Sequence, residues 1–339
     1  MSASQSLRVR LRASGIRPRK SLGQSFLVDD TLAQRIVSFT GLQSNDTAIE
    51  IGPGVGALTR HLASHARQVI AIEIDRALIP ILQEELVDCR NVSLVLADAL
   101  EVDFAALLRE QTGNERTSVH FVGNLPYYIT SALVRKILES HLNVQSITLT
   151  VQLEVAERMV AQPGEMSLLS LSVQFYGWPQ ILMRINSTAF YPQPSVDSAV
   201  IRITPRPSSS YQLGPRTEPV EGQSEPIEGD LKSVVGHLEP VIGHPEPVEG
   251  SAGRAQGWAE SPDANIVFAL ARAGFSQRRK QLRNTLTSGM RWSREETEML
   301  LAKADINPTR RAETLSVEDW VRLSEVVREK APSAVSDDR

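Results

Sequence analysis

Four short apolar runs, Ala48–Ile51, Val69–Ile74, Val92–Leu96 and Val119–Val122, recur along the first third of the chain, separated by helical patterns such as Leu58–Ala63 and Leu78–Val87. Each run is of strand length and almost wholly apolar, which is what a strand buried on both faces requires. Strands alternating with helices predict an α/β fold with a parallel sheet covered on both sides. Further strands are expected at Ser146–Gln152 and Ala199–Thr204. A helix capped by Asp29 or Asp30 is expected to run to Phe39, with Gly41 as its stop. Ligands in such sheets sit beyond the carboxyl ends of the strands, so the residues at those ends are the ones to inspect.

After the first run stands Glu50-Ile51-Gly52-Pro53-Gly54-Val55-Gly56. Its glycines let the backbone turn sharply and approach a ligand closely. After the second stands Glu73, 21 residues beyond Gly52, where a carboxylate can accept hydrogen bonds from ribose hydroxyls. After the third stands Asp98, placed to accept from an adenine amino group. The spacing Gly52-x-Gly54-x-x-Ala57 also satisfies a loose dinucleotide fingerprint. NAD and S-adenosylmethionine share the ribose, so these residues alone leave a nicotinamide enzyme open.

The fourth run ends in Asn124-Leu125-Pro126-Tyr127, and this motif discriminates. An exocyclic base amine is a poor nucleophile because its lone pair is delocalised into the ring. Two acceptors that hold the amino hydrogens, the Asn124 side-chain oxygen and a backbone carbonyl at Leu125 or Pro126, favour a tetrahedral nitrogen whose lone pair points at a methyl donor. Proline removes a competing N–H and stiffens the loop. Tyr127 can stack on the base. A dehydrogenase has no use for this set. Cys89, the single cysteine, lies in Val87-Asp-Cys-Arg away from the strand ends, which argues against covalent pyrimidine methylation. One cysteine also excludes a disulfide framework and a multi-cysteine metal site, and no metal is expected.

Net charge is −4 over 339 residues, which taken whole argues against a nucleic-acid partner. Its distribution reverses that. Residues 217–251 parse as five heptads, four carrying Glu-Pro-Val/Ile, with eight acids and one base, so the remainder of the chain is +3. Proline and glycine in most units forbid a helix, and the segment is read as a disordered, repeat-derived insertion. Residues 1–28 hold six bases, among them Arg17, Arg19 and Lys20, and no acid. Their acid-poor start reads either as a targeting segment or as an arm for phosphate contacts. No apolar run approaches the ~20 residues of a membrane helix.

Taken together, Lys20-Ser-Leu-Gly-Gln-Ser-Phe-Leu27, Glu50–Gly56, Glu73 with Asp75, Asp98-Ala99, Asn124–Tyr127, the run Phe190-Tyr-Pro-Gln-Pro-Ser-Val-Asp-Ser-Ala199 and Phe275-Ser-Gln-Arg-Arg-Lys-Gln-Leu-Arg-Asn284 resemble the 16S rRNA adenine-N6,N6-dimethyltransferases. The resemblance covers about residues 17–205 and 263–325. It implies a Rossmann-like class I S-adenosylmethionine-dependent methyltransferase sheet with a smaller C-terminal all-helical domain. It also implies dimethylation of two adjacent adenosines near the 3′ end of 16S rRNA, in a 30S subunit or its precursor. Cofactor contacts are implied at Ser25, Leu27, Gly52, Gly54, Glu73, Asp98 and Asn124. Asn124, Leu125, Pro126 and Tyr127 are implied to hold the adenine, with Phe190 walling its pocket. Ser25 departs from the family's usual Asn, and the heptad insertion is a second departure.

The expected organisation is a basic arm (1–16), a methyltransferase domain (17–205), a linker with the insertion (206–262), a helical RNA-binding domain (263–330) and a disordered tail (331–339). Residues 263–294 carry seven bases against one acid. Ile266, Val267, Leu270 and Leu282 suggest an amphipathic helix there, with Gln277–Arg283 presenting Arg278, Arg279, Lys280 and Arg283 to RNA. Two more helices are expected over 293–325, capped by Ser293 and Ser316 and broken at Asn307-Pro308. A cytoplasmic monomer is expected. The alternatives are an antibiotic-resistance type 23S rRNA adenine methyltransferase and a mainly non-catalytic ribosome-assembly factor. Deleting 217–251 should leave thermal unfolding and activity close to those of the full chain. Loss of activity on deletion would show that the insertion is no passive insert.

Overall fold

The computed structural model describes residues 9, 11, 15, 17–114, 116–125, 129–140, 142–206 and 263–330. The heptad segment, the tail and most of the basic arm lie outside the described residues. One described arm residue, Leu11, is buried against Phe26, Leu78 and Leu82, so at that position the arm packs on the sheet domain.

A two-residue strand β1 (Phe26–Leu27) leads into α1 (Asp30–Ser38), whose cap is Asp29: its carboxylate accepts from Leu32 N at 3.1 Å. Then follow β2 (Thr47–Ile51), α2 (Ala57–His65), β3 (Gln68–Glu73), α3 (Ile79–Glu85), β4 (Val92–Leu96), α4 (Phe104–Thr112), β5 (Val119–Asn124), α5 (Thr130–Leu138) and β6 (Val144–Gln152). After α6 (Leu153–Met159) and α7 (Leu168–Tyr176) come β7 (Gly177–Ile185), β8 (Phe190–Tyr191) and β9 (Ser198–Pro205). The sheet order is β4-β3-β2-β5-β6-β9-β7. β2 to β6 are parallel, and β9 is antiparallel to both of its neighbours. All five residues of β2 are buried, the reason its sequence is a continuous apolar run around one acid.

The predicted strands are all present: Val92–Leu96 is unchanged, the second run lies one residue earlier at Gln68–Glu73, and the others are longer by one or two residues. β7 is absent from the sequence reading for a physical reason. It is an edge strand, half exposed, with Pro179 paired to Ile203 and a register shift between Ile181 and Met183. Proline is tolerated at an edge because no outer neighbour asks for its N–H.

The chain runs from β2 outward to β4 and returns to β5 on the other side of β2, so strand order reverses between β2 and β5. Their carboxyl ends meet with Ile51 opposite Gly123. A Cβ on Gly123 would lie 2.7 Å from the Ile51 carbonyl oxygen, so only glycine allows this approach. The crevice at such a reversal is where open α/β sheets bind ligands.

The C-terminal helices are α8 (Ala264–Phe275), α9 (Leu282–Met290), α10 (Arg294–Lys303) and α11 (Val317–Lys330). Ser293 caps α10 in a reciprocal box with Glu296, and Ser316 accepts from Asp319 N at 3.2 Å at the head of α11. These helices share one hydrophobic cluster with the sheet domain. At the seam, Phe268 meets Phe175 edge-on with centroids 5.3 Å apart and stacks on Tyr176 at 5.9 Å. Glu313 O accepts from Gly164 N and Met166 N. Gly274 lets α8 touch the buried Trp320, whose ring would stand 2.5 Å from any Cβ there.

Because the core is continuous, Phe268→Ala should destabilise the whole protein by ~3–5 kcal/mol. Urea unfolding followed by tryptophan fluorescence and by circular dichroism should then give coincident transitions. Two separated transitions would show that the helices fold on their own.

Candidate active site

The glycine loop leaves β2 with Gly52, Gly54 and Gly56 at φ 70, 60 and 80°, a region that side chains other than glycine rarely adopt. Gly54 is also crowded, since a Cβ on it would lie 2.9 Å from the Phe26 ring. The loop is anchored by Glu73 at the end of β3. Glu73 Oε2 accepts from Gly54 N at 3.2 Å and Oε1 from Asp75 N at 2.8 Å. Burial raises the Glu73 pKa, and these two N–H groups pull it back toward the charged form. At the end of β4, Asp98 accepts from Leu100 N at 2.9 Å and faces the same cleft.

That cleft holds about 820 Å³ of empty space over the strand ends. It brings together six of the seven expected cofactor residues: Ser25, Gly52, Gly54, Glu73, Asp98 and Asn124. Its roof is the segment Leu22–Phe26, a strap that crosses from the N-terminal side. A smaller cavity of about 310 Å³ opens on the other side of Asn124 and is lined by Ser25, Leu125 and Phe190. Asn124 therefore stands on the wall between the two spaces. Its Nδ2 donates to Ser25 O at 2.8 Å, which leaves Oδ1 as the acceptor end of the amide.

The remaining expected residues divide. Leu27 does not line the large cleft. It pairs with Phe190 across β1 and β8, packs in the core with Ile36, and borders a third cavity under the glycine loop. The Ser25 hydroxyl is engaged outside the cleft, donating to Pro192 O at 2.7 Å. Pro126 and Tyr127 lie outside the described residues. The expected helix through Gln277–Arg283 is corrected: residues 276–281 form a turn between α8 and α9. Leu282 N and Arg283 N open α9 by donating to Arg310 O and Pro308 O. The turn holds Arg278, Arg279 and Lys280 exposed, whereas Arg283 pairs with Glu298 at 3.3 Å. Arg17 and Lys20 are exposed, and Arg19 pairs with the buried Asp75 at 3.2 Å.

Glu50 was legible as part of the glycine motif, but no role followed from spacing. It is fully buried, with Oε2 lacking a hydrogen-bond partner among the described residues. Desolvation, with the nearby Glu73 charge, pushes its pKa up to about 8. At the opposite end of the sheet His120 bridges Ser146 at 2.9 Å and Asp46 at 3.1 Å, an arrangement that superficially suggests nucleophilic catalysis. The Ser146 hydroxyl donates to Thr40 O at 2.8 Å, and all three groups serve to tie β5, β6 and the α1–β2 loop together.

This seven-stranded order, with a glycine loop after β2 and an acid at the ends of β3 and β4, defines a class I methyltransferase. A dimethyladenosine transferase from Plasmodium falciparum has the same fold, with a TM-score of 0.63 and 20% identity over 89% of this chain and 97% of that one. The 23S rRNA methyltransferase ErmE is similar at a TM-score of 0.58 and 25% identity, over 89% and 99%. In sequence the chain is 37% identical over 311 residues to the ribosomal RNA small subunit methyltransferases A of Bacillus mycoides and Bacillus cereus, covering 90% of each chain. Residues 15–213 match the family described as ribosomal RNA adenine dimethylase. The chain belongs to the ribosomal RNA adenine dimethylase family, and it is a methyltransferase.

The raised Glu50 pKa makes a stability prediction. A carboxyl held protonated in the fold contributes fully below its unfolded pKa, near 4.5, and that contribution is lost as pH rises through about 8. Glu50→Gln removes the titration, so its melting temperature relative to the parent should rise between pH 5 and pH 8.5. A constant difference across that range would show that Glu50 does not titrate there.

Proposed function

We propose that this protein dimethylates N6 of two adjacent adenosines near the 3′ end of 16S rRNA, within a small ribosomal subunit or its precursor, using S-adenosylmethionine. The observation that carries the reading is the position of Asn124 on the wall between the large cleft over the strand ends and a smaller cavity. The cleft suits the methyl donor: glycines permit close backbone approach, Glu73 can accept from ribose hydroxyls, and Asp98 can accept from an adenine amino group. When bound, S-adenosylmethionine supplies a methyl group already activated on a sulfonium.

The protein's own work is positioning and electrostatics. Asn124 Oδ1, turned outward because Nδ2 is held by Ser25, can accept one amino hydrogen of the target adenine. A carbonyl at Leu125 or Pro126 can accept the other. Phe190 is buried beside Asn124 and walls the smaller cavity, on the side from which a base lifted out of its stack would approach Asn124. The first methyl transfer, followed by loss of a proton, leaves one hydrogen on the nitrogen, so the site cannot depend on both acceptors in the second round. Exposed Arg278, Arg279 and Lys280 on the 276–281 turn, with Arg17 and Lys20, can contact RNA phosphates. We further infer a cytoplasmic monomer. Among the described residues no helix is long and apolar enough to cross a membrane.

The similarity to ErmE keeps 23S rRNA as the competing substrate, and one experiment separates the two. The protein is incubated with labelled S-adenosylmethionine and under-methylated 30S or 50S subunits, and the modified base is mapped. Label at adjacent 16S adenosines is expected; label in 23S rRNA alone overturns the substrate. Asn124→Ala should reduce turnover by two orders of magnitude or more while donor affinity falls only modestly. Unchanged turnover would remove Asn124 from the catalytic set.

A further inference from the structure

Three polar side chains that the chemistry above does not use meet beside the large cleft, whose lining includes one of them, Gln24. Asp75, two residues beyond Glu73, is 1% exposed. Its Oδ2 accepts from Gln24 Nε2 at 2.8 Å, and its Oδ1 accepts from Ala77 N at 3.1 Å and pairs with Arg19 Nη1 at 3.2 Å. Gln24 Oε1 accepts in turn from Arg19 N at 2.7 Å. Both ends of the Gln24 amide are therefore used, and the three residues, with the Arg19 backbone N–H as the closing contact, form a knot between the strap and the end of β3.

What the knot holds is the roof of the site. Gly23, at φ 60°, turns the chain so that Gln24, Ser25 and Phe26 pass over the cleft. The next attachment is Ser25, whose carbonyl takes Asn124 Nδ2 and whose hydroxyl reaches Pro192 O. Beyond it the chain is held by the two-residue pairing of β1 with β8 and by the buried side chains of Phe26 and Leu27. On the other side of the knot, Asp75 N fixes Glu73 Oε1. A buried carboxylate thus links the acid at the ribose position to the strap that orients Asn124.

We propose that Asp75, Gln24 and Arg19 form a positioning latch, which holds the strap over the donor cleft and so sets the Asn124 amide. Arg19, one of the bases that sequence assigns to RNA, acts here on the donor side. Arg19 is 55% exposed, and an ion pair so placed contributes little by itself. Gln24 is the stronger tie, because its loss leaves a buried carboxylate oxygen without a partner. The latch rests on the reading of the cleft as the donor site.

The test uses the full chain with Gln24→Ala, Arg19→Ala and Arg19→Lys. Binding of S-adenosylhomocysteine is measured calorimetrically without RNA, and hydrogen exchange is followed at the strap amides of residues 22–24. Gln24→Ala should weaken binding by threefold or more and speed strap exchange by a similar or larger factor, with a lowered melting temperature but a thermal transition that stays cooperative. Arg19→Ala should do the same to a lesser degree, with Arg19→Lys closer to the parent, while the KM for 30S subunits stays within twofold. Gln24→Ala affinity within threefold of the parent, or unchanged strap exchange, overturns the latch. So does a rise in the 30S KM of Arg19→Ala without any change in donor-product affinity, the signature of an RNA contact. If the parent itself binds no S-adenosylhomocysteine, the donor reading fails, and the exchange rates still decide the latch.

Discussion

The close parallel pairing of β2 with β5, where strand order reverses, is the constraint on which the site depends. It sets the glycine loop and Asn124 side by side, and it is possible only because Gly123 offers no side chain to the Ile51 carbonyl. The other pieces then follow from register. Glu73 ends β3 one strand over, and Asp98 follows β4 at the edge. Each comes from a different strand, yet all face one crevice because parallel strands present their carboxyl ends together.

Electrostatics follows from that geometry. Glu50, Glu73 and Asp75 lie buried within one strand end of each other, and among the described residues Arg19 is the cation paired with any of them. Isolated buried carboxylates are costly, and these are made tolerable in different ways. Glu73 and Asp75 are hydrogen-bonded by backbone N–H groups, whereas Glu50 is pushed toward its neutral form. A crevice lined by acids suits a ligand that carries positive charge, as a sulfonium donor does.

The sheet was legible because burial on both faces leaves strands no freedom in composition. Caps at Asp29, Ser293 and Ser316 were legible because side chains at helix starts must satisfy backbone N–H groups. β7 was hidden by its proline and its exposed edge. The basic run at 277–283 misled because apolar residues on both sides of it, Leu270 and Leu282, look periodic across a turn. Their burial in two separate helices satisfies the same pattern.

Sequence by itself determined the fold class, the glycine loop, the acids at the strand ends and the Asn124 motif, since each is a local requirement of chain geometry or chemistry. Spacing along a chain cannot report which distant residues meet. Only the tertiary structure decided that Ser25 gives Asn124 its backbone carbonyl, that Leu27 turns into the core, and that Arg19 is drawn to Asp75. It likewise decided that Glu50, one letter in a loop motif, is buried with one oxygen unpartnered among the described residues. These outcomes depend on desolvation and on contacts between residues far apart in the chain, such as Leu27 with Phe190 and Ser25 with Asn124 99 residues on, which no local pattern encodes.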